Sequence, residues 1–401
     1  MKYNIGIIGG GTSGAMTALG ILIAEINLKK YTGDIYITLI QDPNTPTIQV
    51  GESTSPYVCS VMHDVIDFNI VEDLKDIDGT LRFSTKYFWE KANNKNFYAT
   101  YPDYGLHVNS ESFSNWVFKK LQNKYASNFK EIKDRVLSIK QHINNVELIA
   151  QNNAYIFDYV FDCRGSPPQE ELSSDQYITP TFQAVNSVVI FPDFKKYDEQ
   201  FTSSHITENG WMFGVPLIHR KAWGYLYNNT ITKTDQAIED FKKIINIDES
   251  LLRKITWQQY YRKAAIDNRV IFNGNRLYFF EPHHAIPLHY HLIIAKTFTR
   301  NLLTGINVDS LNEFYNDTIN NIQDLITLNY AGDNNIDSPF WNITKKLAFK
   351  KLLSSSSFVN YCKFNADKEI PAMYWPHDGI LVKKYLDGYS IDLNGFINYN
   401  D

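Results

Sequence analysis

The sequence predicts an α/β protein with a parallel sheet, a second and mostly antiparallel sheet, and a C-terminal helical region. Three observations support this class. Residues 4–40 run through a strand, a glycine-rich turn, a helix and a β-branched strand, an order that builds a parallel sheet with a right-handed crossover. Residues 179–232 are rich in Val, Ile, Phe, Trp and Tyr, which favours strands. Helical periodicity dominates residues 235–252 and 289–328.

Composition narrows the class of protein further. The chain has 401 residues, of which 44% are hydrophobic and 21% are charged, enough for a large core. A net charge of −5 predicts no nucleic-acid partner. The sequence shows neither a signal peptide nor an apolar run long enough to span a bilayer, so we predict a cytoplasmic protein without membrane contact. Cys59, Cys163 and Cys362 have no disulfide or metal-ligand spacing, and no metal is predicted.

The glycine-rich turn lies between the first strand and the first helix. Gly9, Gly11 and Gly14 fit the spacing G-x-G-x-x-G. In a Rossmann-like domain the first glycine permits a tight turn, the second lets the backbone approach a pyrophosphate, and the third lets helix and strand pack closely. The helix N-terminus, with Thr12 and Ser13, then faces the phosphates. The strand before this short motif and the helix after it predict a dinucleotide-binding site.

The second strand ends without the acidic residue that usually binds the ribose hydroxyls of a dinucleotide. The strand residues Ile37–Ile40 lead into Gln41 and then Asp42. Gln41 can hydrogen-bond a ribose hydroxyl, although without the strength that a carboxylate charge adds. Alternatively, Asp42 does so from one residue further along.

Shorter elements fill the rest of the chain. Residues 56–68 predict a helix, and residues 81–89 a strand. Residues 146–160 predict strands that return to the first sheet, which is completed near residues 270–274. The predicted segments are a discontinuous dinucleotide-binding domain (1–90, 145–180 and 262–300), inserted strands and helices (91–144), an antiparallel substrate-side sheet (181–261) and the helical region (301–401).

Several later segments resemble motifs of the flavin-dependent halogenases of the tryptophan type, and they occur in the same order. Gly51, Glu52 and Ser53 begin a segment like G-E-[AS]-T-x-P, which lies against the flavin in that family. Residues 210–217 are similar to the signature W-x-W-x-I-P. Further matches are residues 162–165 (like D-C-[ST]-G), 269–274 (a late strand that leads to a flavin contact), 280–282 (the start of E-P-L-E-S-T) and 338–341 (a late family segment).

The resemblance implies an FAD-binding oxidoreductase. In that family a separate flavin reductase supplies reduced FAD, which with oxygen converts a halide (chloride, bromide or iodide) into hypohalous acid. The acid halogenates a small aromatic, indole-type substrate held apart from the flavin, with help from a lysine and a glutamate. The resemblance places Gly9, Gly11, Thr12, Ser13, Gly14, Gln41, Gly51, Glu52, Ser53, Gly274 and Asn275 at the cofactor, and Trp211, Phe213, Pro216, Glu281 and Pro282 on the substrate side.

The family's catalytic lysine is replaced in this chain. Its position falls on Arg82, within residues 79–89. Arginine stays protonated and presents a planar fork of donors, so it can hydrogen-bond an oxidant but cannot supply a neutral amine. Lys86 lies four residues later, on the same face of a regular strand, and is a second candidate that would need a shifted backbone.

The family's catalytic glutamate is replaced as well. Its position falls on His284, which follows His283. One interpretation is that this histidine pair does acid–base chemistry near neutral pH. The other is that both are ordinary polar residues at a helix start. Pro287 stands where the family has a glycine whose backbone is thought to help bind halide.

The sequence leaves three functions open. The first is a flavin-dependent halogenase in which Arg82 polarises hypohalous acid. The second is an FAD-binding, monooxygenase-like oxidoreductase that no longer halogenates. The third is a non-catalytic protein on the same fold. The substrate, the halide and the oligomeric state, including a homo-oligomer, stay open as well.

Overall fold

The computed structural model describes residues 2–28, 34–45, 51–89, 96–332, 334 and 336–397. The strands within these residues are β1 (Tyr3–Ile8), β2 (Ile35–Gln41), β3 (Gly51–Ser53), β4 (Thr80–Phe88), β5 (Phe97–Asn109), β6 (Phe129–Lys133), β7 (Val136–Gln141), β8 (Val146–Ala150), β9 (Ala154–Phe157), β10 (Tyr159–Asp162), β11 (Tyr177–Ile178), β12 (Ser187–Asp193), β13 (Phe201–Thr207), β14 (Gly210–Pro216), β15 (Lys221–Tyr227), β16 (Arg253–Thr256), β17 (Tyr260–Arg262), β18 (Ile266–Asp267), β19 (Val270–Phe272) and β20 (Tyr278–Phe279). The helices are α1 (Thr12–Asn27), α2 (Pro56–Ile66), α3 (Ile70–Asp73), α4 (Ser110–Lys124), α5 (Gln169–Leu172), α6 (Thr234–Ile244), α7 (Ile286–Thr304), α8 (Ser310–Ala331), α9 (Pro339–Ser354), α10 (Ser356–Asn365), α11 (Gly379–Gly388) and α12 (Asn394–Ile397).

The first sheet carries the glycine-rich turn. Its strand order is β18–β19–β10–β1–β2–β6, and all neighbours are parallel except β18 and β19. Helix α1 leaves β1 through the turn, is buried from Gly14 to Glu25, and packs against α7. Gly20 permits this close packing, because a Cβ there would lie 2.5 Å from the carbonyl oxygen of Leu292. The approach brings the N-terminal ends of α1 and α7 into one region.

The second sheet is large and mostly antiparallel. Its order is β16–β12–β15–β14–β13–β4–β5–β3, and only β13 and β4 run parallel. One face packs on α6 through Met212, Tyr225 and Phe241. The other face contributes Trp211 to the main core, which it shares with α7 and α8. Two three-stranded sheets, β7–β8–β9 and β11–β17–β20, complete the structure.

The predicted fold class is confirmed, but the sheets divide the predicted segments differently. Strands β3 and β4 come from residues 1–90 yet belong to the large sheet, and β6, from residues 91–144, is an edge of the parallel sheet. Of the strands expected over residues 146–160, only β10 joins the parallel sheet. Strand composition predicts that a strand forms, whereas its partner is selected by packing between residues far apart in sequence. Among the described residues no helix is both long and apolar enough to cross a bilayer.

Candidate active site

The three motif glycines meet three different steric demands. Gly9 has φ +112°, and a Cβ there would lie 2.6 Å from the Cys163 carbonyl oxygen, so this turn requires glycine. A Cβ at Gly14 would lie 2.1 Å from the Gly9 carbonyl oxygen, so α1 approaches the turn closely. A Cβ at Gly11 would meet nothing within 4 Å. The space beside Gly11 is therefore open, as the approach of a pyrophosphate requires.

The N-terminus of α1 suits an anionic ligand. Gly11 is its N-cap, so no side chain caps the helix, and its first turn carries no acidic residue. The first N–H groups and the positive end of the helix dipole are thus left for a ligand. Gly274, at φ +67°, closes one side of this cradle, because a Cβ there would lie 2.0 Å from Ser13 Oγ. The donors and the open space fit the pyrophosphate of a dinucleotide.

Glu52 reaches the cradle from β3, whereas the Ser53 hydroxyl lies 3.5 Å from Thr202 Oγ1, and Asn275 follows Gly274 in the turn Gly274–Arg276. The Glu52 carboxyl group hydrogen-bonds with Thr12, and burial raises its pKa to about 7 despite that bond. A carboxyl group that is partly protonated at neutral pH repels a phosphate less than a full carboxylate does. Glu52 and Thr12, and likewise Gly274 and Ser13, are thus brought together at one helix end.

The two candidates for the ribose position, Gln41 and Asp42, have different surroundings. Asp42 uses both carboxylate oxygens within its own turn, at 2.9 Å from the Asn44 backbone nitrogen and 2.9 Å from Thr45 Oγ1. Gln41 instead lies over the glycine turn, where a Cβ on Gly10 would be 1.7 Å from Gln41 Oε1. The geometry favours Gln41 as the residue that faces a ribose.

Arg82 lies beside the segment that begins with Gly51. Its side chain is 1% exposed, and Nη1 donates to the Thr54 carbonyl oxygen at 3.1 Å. Nε donates to Thr202 Oγ1 at 2.9 Å, and Nη2 donates to Thr85 Oγ1 and to the Tyr101 hydroxyl at 2.8 Å each. These four bonds use four of the five guanidinium N–H groups. All four acceptors are neutral oxygen atoms, so none of them offsets the charge.

A chain of hydrogen bonds, in which each donor and acceptor can be assigned, fixes the Arg82 side chain through its Nε atom. Thr80 Oγ1 donates to the Pro216 carbonyl oxygen at 2.7 Å, so it accepts from His107 Nδ1 at 3.1 Å. His107 Nε2 must then accept from Thr202 Oγ1 at 2.9 Å, because burial lowers the pKa of His107 well below 6.5 and keeps the ring neutral. Thr202 is thereby left to accept from Arg82 Nε. The chain links Arg82 to the carbonyl group of Pro216 in the W-x-W-x-I-P-like segment.

The expectation that Lys86 shares the face of Arg82 is wrong. The register of β4 against β5 shifts beside the exposed residue Phe83: Arg82 pairs with Gly105 but Ser84 pairs with Thr100, so the extra residues lie in β5. Past this irregular pairing it is Thr85 that lies on the side of Arg82, whose Nη2 donates to Thr85 Oγ1. Lys86 therefore points to the opposite face, where Nζ lies 4.6 Å from the ring centroid of Phe88. The alternation of side chains expected for a regular strand does not hold across this irregular pairing.

The histidine pair is buried and neutral rather than poised near pH 7. Burial lowers the pKa of His284 to about 3, and the Arg82 guanidinium adds to the effect. Burial also lowers the pKa of His283 well below 6.5. His284, at φ +63°, lies just before the start of α7, and Asn329 Nδ2 is 2.9 Å from its Nε2. Of the two interpretations, the burial of the pair favours polar residues at a helix start over an acid–base pair near neutral pH, and the Arg82 guanidinium lies close enough to His284 to lower its pKa further.

Two of the residues that the resemblance places on the substrate side, Trp211 and Glu281, belong to a second buried network. Trp211 is 2% exposed, stacks on His283 with ring centroids 3.8 Å apart, and donates from Nε1 to the Tyr330 hydroxyl at 2.8 Å. Tyr330 in turn donates to Glu281 Oε1 at 2.7 Å. Burial raises the pKa of Glu281 to about 8, so this carboxyl group is mostly protonated at neutral pH. Phe213 contacts Trp211, with ring centroids 6.2 Å apart. Trp211 therefore supports the site from within the core, and Pro282 next to the network is exposed.

Glu281→Gln is expected to flatten the dependence of stability on pH above pH 7. The folded-state pKa of Glu281 is raised, so the native state holds a proton that the unfolded state releases above about pH 4.5, and native stability falls as pH rises toward 8. From pH 7 to 8 the native chain should lose about 1 kcal/mol of unfolding free energy through this group. The other groups that titrate in this window, Glu52 among them, are the same in the native chain and in the variant, so the difference between the two slopes reports Glu281 alone. Urea unfolding at pH 7 and 8 checks the prediction, and an unchanged slope in the variant would contradict it.

Several groups in this region carry no signal in the sequence. Thr202, His107 and Tyr330 occur singly, outside any motif, and are brought to the site only by strand pairing and helix packing. His377 and Tyr385 come from the C-terminal region, with ring centroids 5.2 and 4.5 Å from that of His284. No group of His, Cys, Asp or Glu in the described part of the chain is arranged to hold a metal ion.

These features define a class of protein, a dinucleotide-binding α/β oxidoreductase with a buried cation close to the cradle. The family model named tryptophan halogenase matches residues 4–164 and 130–363. The chain belongs to the tryptophan halogenase family. The resemblance found in the sequence motifs is thereby confirmed.

The chain is also similar to individual halogenases, both in sequence and in fold. Tryptophan 7-halogenase RebH of Lentzea aerocolonigenes is 21% identical over 425 residues, covering 85% of this chain and 78% of that protein. The tryptophan halogenase of Shewanella frigidimarina superposes with a TM-score of 0.82 at 19% identity, covering 100% of this chain and 93% of that chain. The flavin-dependent halogenase BrvH of Brevundimonas sp. BAL3 gives 0.80 at 15% identity, covering 98% and 90%. Family membership makes the chain an FAD- and halide-dependent oxidoreductase of the halogenase type.

Proposed function

We propose that the chain halogenates a small aromatic, indole-type substrate, with Arg82 as the cation that activates the oxidant. One observation carries the proposal: the guanidinium is buried, and its four hydrogen bonds all end on neutral oxygen atoms. A buried charge that its partners do not offset favours a polar or anionic guest. One N–H of Nη1 is not used by these bonds and is available to such a guest.

The cofactor supplies the redox chemistry, and the chain supplies orientation and polarity. When bound, reduced FAD gives two electrons to oxygen and the halide gives two more, so that water and hypohalous acid form. Arg82 then donates a hydrogen bond to the oxygen of hypohalous acid and makes the halogen more electrophilic. The aromatic carbon attacks the halogen, its proton leaves, and the hydroxyl group departs as water. The proposal keeps Lys86 out of this step, because it lies on the opposite face of the sheet.

The neighbouring groups support this assignment of roles. The chain Thr80–His107–Thr202 fixes the guanidinium, and a fixed donor needs no reorganisation during the reaction. Glu281 carries a proton at neutral pH and lines a small cavity with Phe182 and Gln259, which places an acid beside an aromatic ring. His284, as a neutral ring, is proposed as a polar wall rather than as a base. A separate cytoplasmic reductase is proposed as the source of reduced FAD.

Bromination of an indole panel tests the proposed function. The purified protein is expected to bind FAD, and with a flavin reductase, NADH, oxygen and bromide it should give products with the bromine isotope pattern in mass spectra. Control reactions without bromide or without reductase show whether the product depends on each of them. A reaction with added catalase excludes bromination by free hydrogen peroxide. FAD turnover without any halogenated product, across indoles, phenols and pyrroles, would contradict halogenation and favour a non-halogenating oxidoreductase.

A further inference from the structure

We infer that Glu131 is a positioning residue for the adenosine end of FAD, and that Gln41 and Glu131 together replace the single carboxylate that usually ends the second strand. The inference rests on FAD binding in the glycine cradle. It extends that assignment to a residue outside every motif, on a different strand.

Glu131 is held firmly beside Gln41. Strand β6 pairs in parallel with β2, and Glu131 lies opposite Leu39 in the register. Its carboxylate accepts from Gln41 Nε2, from Gln122 Nε2 at 2.9 Å, and from Lys133 Nζ. The side chain is 15% exposed. Donors from β2, α4 and β6 therefore meet on one carboxylate, which restricts it to one position.

This contact determines which end of the Gln41 amide faces the cofactor. An amide has one donor end and one acceptor end. Because Nε2 donates to Glu131, Oε1 is turned toward the glycine turn, where a Cβ on Gly10 would lie 1.7 Å from it. A ribose hydroxyl that donates a hydrogen bond requires an acceptor at this place. Gln41 thus presents the kind of atom that a carboxylate would present.

The charge of Glu131 strengthens that acceptor. A hydrogen bond to an anion polarises the amide that donates it, and linked hydrogen bonds reinforce one another in a low-dielectric surrounding. Lys133 pairs with the same carboxylate but is half-exposed, so it offsets only part of the negative charge, and the rest acts on the ribose through Gln41 rather than directly. The site therefore still contains a carboxylate, that of Glu131, but it is joined to the ribose position by a hydrogen bond through Gln41.

Titrations with FAD and with FMN test the inference, because FMN lacks the adenosine half. Glu131→Gln is expected to weaken FAD binding about tenfold, since a neutral amide no longer forces Gln41 to face inward as an acceptor. FMN affinity should change less than about twofold. The double variant Gln41→Glu with Glu131→Gln should restore FAD affinity, because it returns the carboxylate to the end of β2. Thermal unfolding without flavin controls for general loosening of the fold.

Three outcomes would overturn the inference alone: unchanged FAD affinity in Glu131→Gln, an equal loss for FMN, or a double variant as weak as the single one. An equal loss would mean that Glu131 only ties α4 to β6. A native chain that binds neither flavin would overturn the FAD assignment as well, which separates the two failures.

Discussion

Replacing Arg82 by methionine is expected to lower halogenation turnover by at least about 100-fold, equivalent to about 3 kcal/mol of transition-state stabilisation. Methionine fills much of the space of the arginine stem but offers no donor and no charge. FAD affinity should fall by less than about threefold, because the cradle is formed by backbone groups of other elements. Steady-state turnover with bromide, together with FAD titration, measures both quantities.

The control for this variant lies on the same strand. Lys86→Met removes a cation four residues away, but on the opposite face of the sheet, so turnover should stay within about twofold of the native value. Arg82→Lys should keep more activity than Arg82→Met, because the ammonium restores a cation and a donor without the planar fork. Equal turnover in the native chain and Arg82→Met would remove Arg82 from the mechanism. A similar loss in Lys86→Met would mean that the face assignment is wrong.

The cradle could be predicted because its chemistry resides in the backbone. A glycine is required where a Cβ would collide, as at Gly9 and Gly14, and such positions leave a spacing that can be read in the sequence. The strand, turn and helix around these glycines could likewise be predicted from the sequence. The parallel sheet is predicted by the alternation of strand and helix in residues 4–40, and the antiparallel sheet by the strand-rich residues 179–232.

The electrostatics of the site could not be predicted, because they depend on burial and on partners far apart in sequence. Arg82 was found through its place in a motif, but its bonds to Thr202 and Tyr101 come from strand pairing 120 and 19 residues away. Acid–base chemistry near neutral pH, one of the two interpretations of His283 and His284, requires solvent contact, and the burial of His284 removes that contact. The face of Lys86 could not be predicted, because the pairing of β4 with β5 is irregular at Phe83, where β5 carries the extra residues. Glu131 has no motif at all, and only the pairing of β6 with β2 brings it to Gln41.

Gly11→Val is expected to weaken FAD binding by at least about 100-fold while leaving the fold intact. A Cβ at Gly11 would meet no protein atom within 4 Å, and φ −84° is accessible to valine. The added side chain therefore costs the protein alone little. It occupies the space that the pyrophosphate must enter, so FAD affinity should fall. Flavin titration and thermal unfolding without flavin measure the two effects separately.

Valine substitutions at two other glycines serve as controls for Gly11→Val. Gly395→Val places the same side chain in open space near the C-terminus and should leave flavin affinity unchanged. Gly14→Val should instead unfold the domain, because its Cβ would lie 2.1 Å from the Gly9 carbonyl oxygen. A stable Gly11→Val protein with native FAD affinity would mean that the cofactor does not approach this turn. A protein that loses FAD binding at an unchanged melting temperature would mean that the open space at Gly11 is reserved for a ligand, since nothing in the chain itself requires glycine there.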